Sequence, residues 1–192
     1  MSSLRLNKIA RTALLATTAA VMMAGTAATG SAEAAVHPTA SCTVLNVSDP
    51  ADNYQYGTYT GQVEQQFESC NGVDYARAHY QWASSYLPTA VKDKGFVNLY
   101  VESYPTGSPG NGQVTAYATA NEQDAWSNWV DIHSVSPDTW VAIAVVVGAP
   151  KNPCGYAAIT DAHVYSTGGT TGPVLLGGCN AAGTPYWSDT IL

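Results

Sequence analysis

Residues 70–73 read Cys-Asn-Gly-Val. An Asn-Gly pair between two alternating runs is the strongest short-range sign of a β-hairpin, because both residues tolerate the positive φ of a type I′ turn. Such a turn sets Cys70 opposite Val73, Phe67 opposite Ala76, Gln66 opposite Arg77, Glu64 opposite His79 and Val63 opposite Tyr80. One face of the ribbon then collects Val63, Phe67, Ala76, Ala78, Tyr80 and Trp82. The other collects Glu64, Gln66, Glu68, Tyr75, Arg77 and His79. An antiparallel sheet with one face buried and one wet has this alternation.

The rest of the chain reads the same way. Strands are expected over 96–104, over 113–119 pairing back on it, over 126–135, over 139–147 and over 156–166, with weaker ones at 174–176 and 186–192. The stretch 139–147 is apolar on both faces and reads as a central, covered strand. Residues 105–112 (PTGSPGNG) read as a loop. The best helical candidate is 121–127. Only 11% of residues are charged, and Tyr, Trp, Thr, Gly and Val abound, which suits antiparallel β structure. The fold class is therefore all-β, an antiparallel β-sandwich or a closed β-barrel.

The first 34 residues read as a secretory signal peptide. Arg5, Lys8 and Arg11 form a basic start, residues 12–24 an apolar run, and Ala32-Glu33-Ala34 a small-x-small cleavage site. The apolar run is short for a membrane anchor. The expected division is 1–34 signal peptide and 35–192 a single mature β domain that is secreted and extracellular. Without the leader, four basic and thirteen acidic side chains remain, a formal charge of about −9. So acidic a surface argues against nucleic acid, which needs clustered Lys and Arg, and against anionic membranes.

Four cysteines, Cys42, Cys70, Cys154 and Cys179, imply two disulfides in an exported chain. Three pairings are possible. Cys42–Cys70 with Cys154–Cys179 closes the shortest loops. The spacing supports no zinc site, and no metal or other cofactor is expected.

No local catalytic motif is present. Asp131-Ile-His133 and Asp161-Ala-His163 each place a carboxylate two residues from an imidazole. On a strand these share a face, and a carboxylate can orient a general base. Glu64 and Glu68 lie too far apart along one strand for a retaining glycosidase. Asp49, Asp52 and Asn53 read as a turn rather than a calcium loop. The aromatic surplus, twelve Tyr and five Trp against two Phe, points elsewhere, since rings with a polar tip suit surfaces that are partly apolar and partly wet. Tyr100 and Tyr104 share the outer face of one strand with Asn98 and Glu102, a ligand-binding candidate, and one of Trp126 and Trp129 is expected to be exposed. Three functions remain open. One is a non-catalytic binding protein, enzyme inhibitors included, that recognises an extracellular glycan or protein. One is a secreted hydrolase with an Asp/His site. The third is a structural or cell-surface-associated protein with no discrete site.

Overall fold

The computed structural model describes residues 42–104, 111–132, 138–147 and 157–188, with backbone alone at 186–188. All of these fall in one unit, Pro38–Leu192. The expected signal peptide and its cleavage site lie outside the described residues.

Asn71 and Gly72 take φ of +54° and +79°, the left-handed pair that a type I′ turn needs. Around them run β1 (Val44–Asn46), β2 (Ala51–Gln55), β3 (Thr58–Cys70) and β4 (Val73–Trp82). The expected register holds from Cys70↔Val73 to Val63↔Tyr80 and continues to Gly61↔Trp82. A short helix α1 (Leu87–Lys92) follows. Next come β5 (Phe96–Ser103), β6 (Asn111–Tyr117), β7 (Asp124–Trp126), β8 (Val130–Asp131) and β9 (Thr139–Val147). The chain ends with β10 (Ala157–Ile159), β11 (Ala162–Val164), β12 (Gly169–Thr171), β13 (Leu176–Cys179) and β14 (Pro185–Ser188).

Two sheets result. The larger has eight strands in the order β14-β13-β2-β3-β4-β7, with β1 paired to β3 and β8 to β4. The smaller has six in the order β12-β11-β9-β5-β6, with β10 paired to β9. They pack as a sandwich-like pair, not a closed barrel. One isolated bridge, Ile159↔Leu175, carries the chain from the smaller sheet towards β13 at one corner. The core lies between the sheets. Val63, Ala76, Ala78, Tyr80 and Trp82 come from one side, and Val97, Leu99, Val101, Trp140, Ala142, Ala144 and Val146 from the other. As expected, β9 is central, and both of its faces are covered.

Several elements depart from the sequence reading. Residues 121–127 contain β7 rather than a helix. The one helix described lies at 87–92, where Pro88 sits in the first turn, the position that tolerates its missing N–H. The strand expected over 126–135 is broken. Residues 127–129 leave the ladder, and Ser127 turns inward to accept the Ala78 N–H at 2.9 Å. The strand expected over 156–166 divides at 160–161, where the Thr160 hydroxyl accepts the Ala142 N–H. The turn expected around Asp52 and Asn53 is strand β2, between β13 and β3 in the larger sheet, and Asn53 is buried. Its side chain and backbone carbonyls both accept from the Thr60 hydroxyl, at 3.2 and 3.0 Å, which is how a polar residue sits inside without loss.

Cys42 and Cys70 form a disulfide, with Cα atoms 5.5 Å apart. No described cysteine is free. Cys154 lies outside the described residues, so a bridge between it and Cys179 stays an expectation from the spacing.

Candidate functional site

The outer face of the larger sheet is built from the polar positions of the hairpin and its neighbours. Glu64, His79 and Trp126 lie abreast across β3, β4 and β7, because Glu64 pairs with His79 and His79 with Trp126. Paired residues share a face. The imidazole stacks on the Trp126 indole, centroids 5.3 Å apart and planes 11° from parallel. His79 Nε2 meets Asp124 Oδ1 at 2.9 Å. On the other side Glu64 Oε2 lies 3.5 Å from Nδ1, too far for a good hydrogen bond.

From this row a chain of hydrogen bonds spreads over the face. The Gln62 amide donates to Glu64, and the Asn46 amide donates to Glu64 at 2.6 Å. The Gln66 amide donates to Asn46, and Arg77 Nε donates to Gln66 at 2.8 Å. The Arg77 guanidinium lies 4.2 Å from the Trp129 ring centroid and 5.5 Å from that of Trp126, within cation–π range of both. Towards β2, the Tyr59 hydroxyl donates to Gln62 and the Tyr54 hydroxyl to Asp52. Burial raises the Asp52 carboxyl, with the Tyr54 hydrogen bond opposing. Burial and then the Asp52 charge push the Tyr59 phenol up to about 12.

This ordered face ends at a cleft of about 520 Å³. Trp126 and Asp124 of β7 form one wall and Tyr117 of β6 another, with Asn121, Glu122 and Gln123 between them. The cleft therefore opens where the edge of one sheet meets the edge of the other. Tyr117 is 64% exposed and Trp126 43%, the largest values among the described aromatic residues. The volume is in the range of small-ligand sites. Sequence reasoning missed Tyr117 and the 121–124 segment. The outward alternation of Gln113, Thr115 and Tyr117 was the available signal for the first.

The residues singled out from sequence fall elsewhere. Asn98, Tyr100 and Glu102 share the outer face of β5, and Tyr104 follows at its end. The Thr115 hydroxyl donates to Asn98 at 2.6 Å. Tyr100 is half-buried, and burial raises its phenol, aided by Glu102. Glu102 and Tyr104 line a groove on the smaller sheet. Asp131 is exposed on β8 of the larger sheet. His133 lies outside the described residues. Asp161 and His163 are buried at β11. The Asp161 carboxylate accepts the Asp49 N–H at 2.8 Å. His163 packs edge-on to Tyr165, centroids 4.6 Å apart. Burial lowers its pKa, while a hydrogen bond to the Val47 backbone and the Asp161 charge oppose. Among the described residues, no group of three or more His, Cys, Asp or Glu side chains is arranged to hold a metal ion.

Fold and site together define a sandwich-like β protein with an ordered polar and aromatic face that ends in an edge cleft. The chain matches no protein-family model, no curated protein and no solved structure.

Proposed function

We propose that the chain is an exported, non-catalytic binding protein whose ligand is an extracellular glycan held in the edge cleft. One observation carries this reading: the two most exposed aromatic rings described, Tyr117 and Trp126, line the same cleft as Asn121, Glu122, Gln123 and Asp124. A sugar ring has an apolar C–H face and a rim of hydroxyls. The first suits an indole or phenol ring, the second suits amides and carboxylates. The acidic chain argues against strongly anionic glycans. Export rests on the leader at 1–34, and the Cys42–Cys70 bridge fits an oxidising compartment. The hydrolase alternative loses ground because Asp161 and His163 are both buried, with Asp161 engaged by the Asp49 backbone.

The test is retention of the protein on insoluble polysaccharides, followed by titration with soluble oligosaccharides while Trp fluorescence is recorded. Trp126→Ala and Tyr117→Ala are each expected to weaken binding by about 1–2 kcal/mol, the cost of removing one anchoring ring. Retention on no polysaccharide overturns the reading, as does full affinity in both variants.

A further inference from the structure

The outer face of the smaller sheet has a different character. Val141 and Ile143 point away from the main core, yet they are only 5% and 3% exposed. Tyr100, Val145, Ala157 and Ile159 pack with them, around buried Ala162, as a second apolar cluster. The chain between β12 and β13 passes beside this cluster and leaves a groove of about 250 Å³. Val141, Ile143, Ile159 and Leu175 supply its apolar surface, and Glu102 and Tyr104 its polar end.

Glu102 is the anomaly. Its carboxylate is partly buried, and burial alone raises its pKa. Among the described residues it makes no hydrogen bond or ion pair. Arg77 is on the other sheet, engaged with Gln66 and Trp129. Lys92 and Lys94 precede β5, whose first residue, Phe96, is already about 20 Å from Glu102 at strand spacing. A carboxylate at the end of an apolar groove, partly buried and with no cation beside it among the described residues, gives up part of its hydration without a described partner.

We propose that this groove is a second binding site, separate from the edge cleft, for a small organic ammonium ion. The apolar body lies on Val141, Ile143 and Ile159, and the cationic head meets Glu102 beside the Tyr104 ring. An anion is repelled there, and a neutral ligand buries the carboxylate further without pairing it. The ammonium head gains both the charge and the aromatic face. The volume falls just below the usual range for drug-sized ligands, so the occupant is one small amine rather than a polymer.

The test titrates the full protein with phenethylammonium, 2-phenylethanol and 3-phenylpropanoate, followed by calorimetry and by backbone amide shifts. Phenethylammonium is expected to bind and to shift the amides of Tyr100, Glu102 and Val141. The alcohol should bind at least tenfold more weakly and the carboxylate not at all. Glu102→Gln should cost the ammonium at least tenfold at unchanged Tm. Thr171→Trp should block the groove, since Thr171 is exposed and lines it. Trp126→Ala should leave ammonium binding unchanged, which separates this site from the glycan reading. Equal binding of the three compounds, undiminished affinity in Glu102→Gln, or shifts centred on Trp126 would each overturn the proposal.

Discussion

Removing the Cys42–Cys70 bridge, as Cys42→Ser with Cys70→Ser, is the most informative single perturbation of the fold. The bridge spans 28 residues. On the chain-entropy model a loop of that length removes about 12 cal/mol/K from the unfolded ensemble, or about 3.6 kcal/mol at 25 °C. The native state gives little reason to amend that figure. Strand β1 meets β3 at only three residues, Val44↔Glu68 to Asn46↔Gln66, and both Val44 and Leu45 are exposed. Little apolar burial holds β1 once the bridge is gone. Urea unfolding should therefore show a loss of about 3–4 kcal/mol. The m-value should rise, because the uncrosslinked unfolded chain exposes more surface. The thermal midpoint should fall by about 7–14 °C, scaled for a domain of this size. Hydrogen exchange should show the β1 amides unprotected while the Phe67↔Ala76 region stays protected. A loss under about 1 kcal/mol with an unchanged m-value would refute the reasoning, since the bridge would then not be restricting the unfolded state.

Two glycines separate backbone strain from collision. Gly72 has φ of +79° with open space around it, so Gly72→Ala should cost about 1–2 kcal/mol for the backbone alone. Gly61 has φ of +153°, and a Cβ there would come 2.2 Å from the Gln81 carbonyl oxygen. Gly61→Ala should therefore cost at least twice as much by urea unfolding, and equal costs would refute the assignment. Burial lowers the His163 pKa in the folded state. The unfolded chain thus takes the proton first as pH falls below about 6.5, and stability drops until the folded pKa is passed. His163→Asn should flatten that loss between pH 7 and 5 in calorimetric scans, and a gain in wild-type stability on acidification would show the sign to be wrong. Arg77→Lys should lose about 1 kcal/mol through the guanidinium contacts with Trp129 and Gln66 and alter Trp fluorescence. An unaltered spectrum with unaltered stability would show that the stack is not populated.

What could be read from the sequence was local. The Asn71-Gly72 dipeptide carries its own backbone geometry, so it set the register of twenty residues around it. The two-sided apolar run at 139–147 announced a central strand. The polar strand β2 could not be read, because Asp52 and Asn53 look like turn residues and the buried Asn53 and Gln55 look like surface residues until their partners are known. Thr60 serves the first, and the Val146 carbonyl, 91 residues away, accepts from the second. The helix α1 is too short, at six residues, for a helical period to show. The cleft was invisible for a similar reason. It exists because the edge strands β6 and β7 of two different sheets come together, and nothing in the local pattern at Tyr117 or Trp126 encodes that meeting.

The larger sheet's outer face differs from an ordinary solvated surface in one respect that bears on binding. Its side chains are not independent. Tyr59, Gln62, Glu64, Asn46, Gln66 and Arg77 form one continuous run of hydrogen bonds, and Arg77 then covers Trp129. Each link holds a rotamer that a free surface residue would sample and then lose on binding. His79, 3.5 Å from the Glu64 carboxylate, stands between this run and the edge. It stacks on Trp126 and hydrogen-bonds Asp124, the two β7 side chains that line the cleft. A ligand entering there meets an indole already oriented and a carboxylate already placed. The entropy of ordering them is met in folding rather than in binding, which is how a small contact surface attains useful affinity. The Asn-Gly turn thus connects to the proposed binding site by a physical route. It fixes the hairpin register, the register puts Glu64 beside His79, and His79 sets the wall of the cleft.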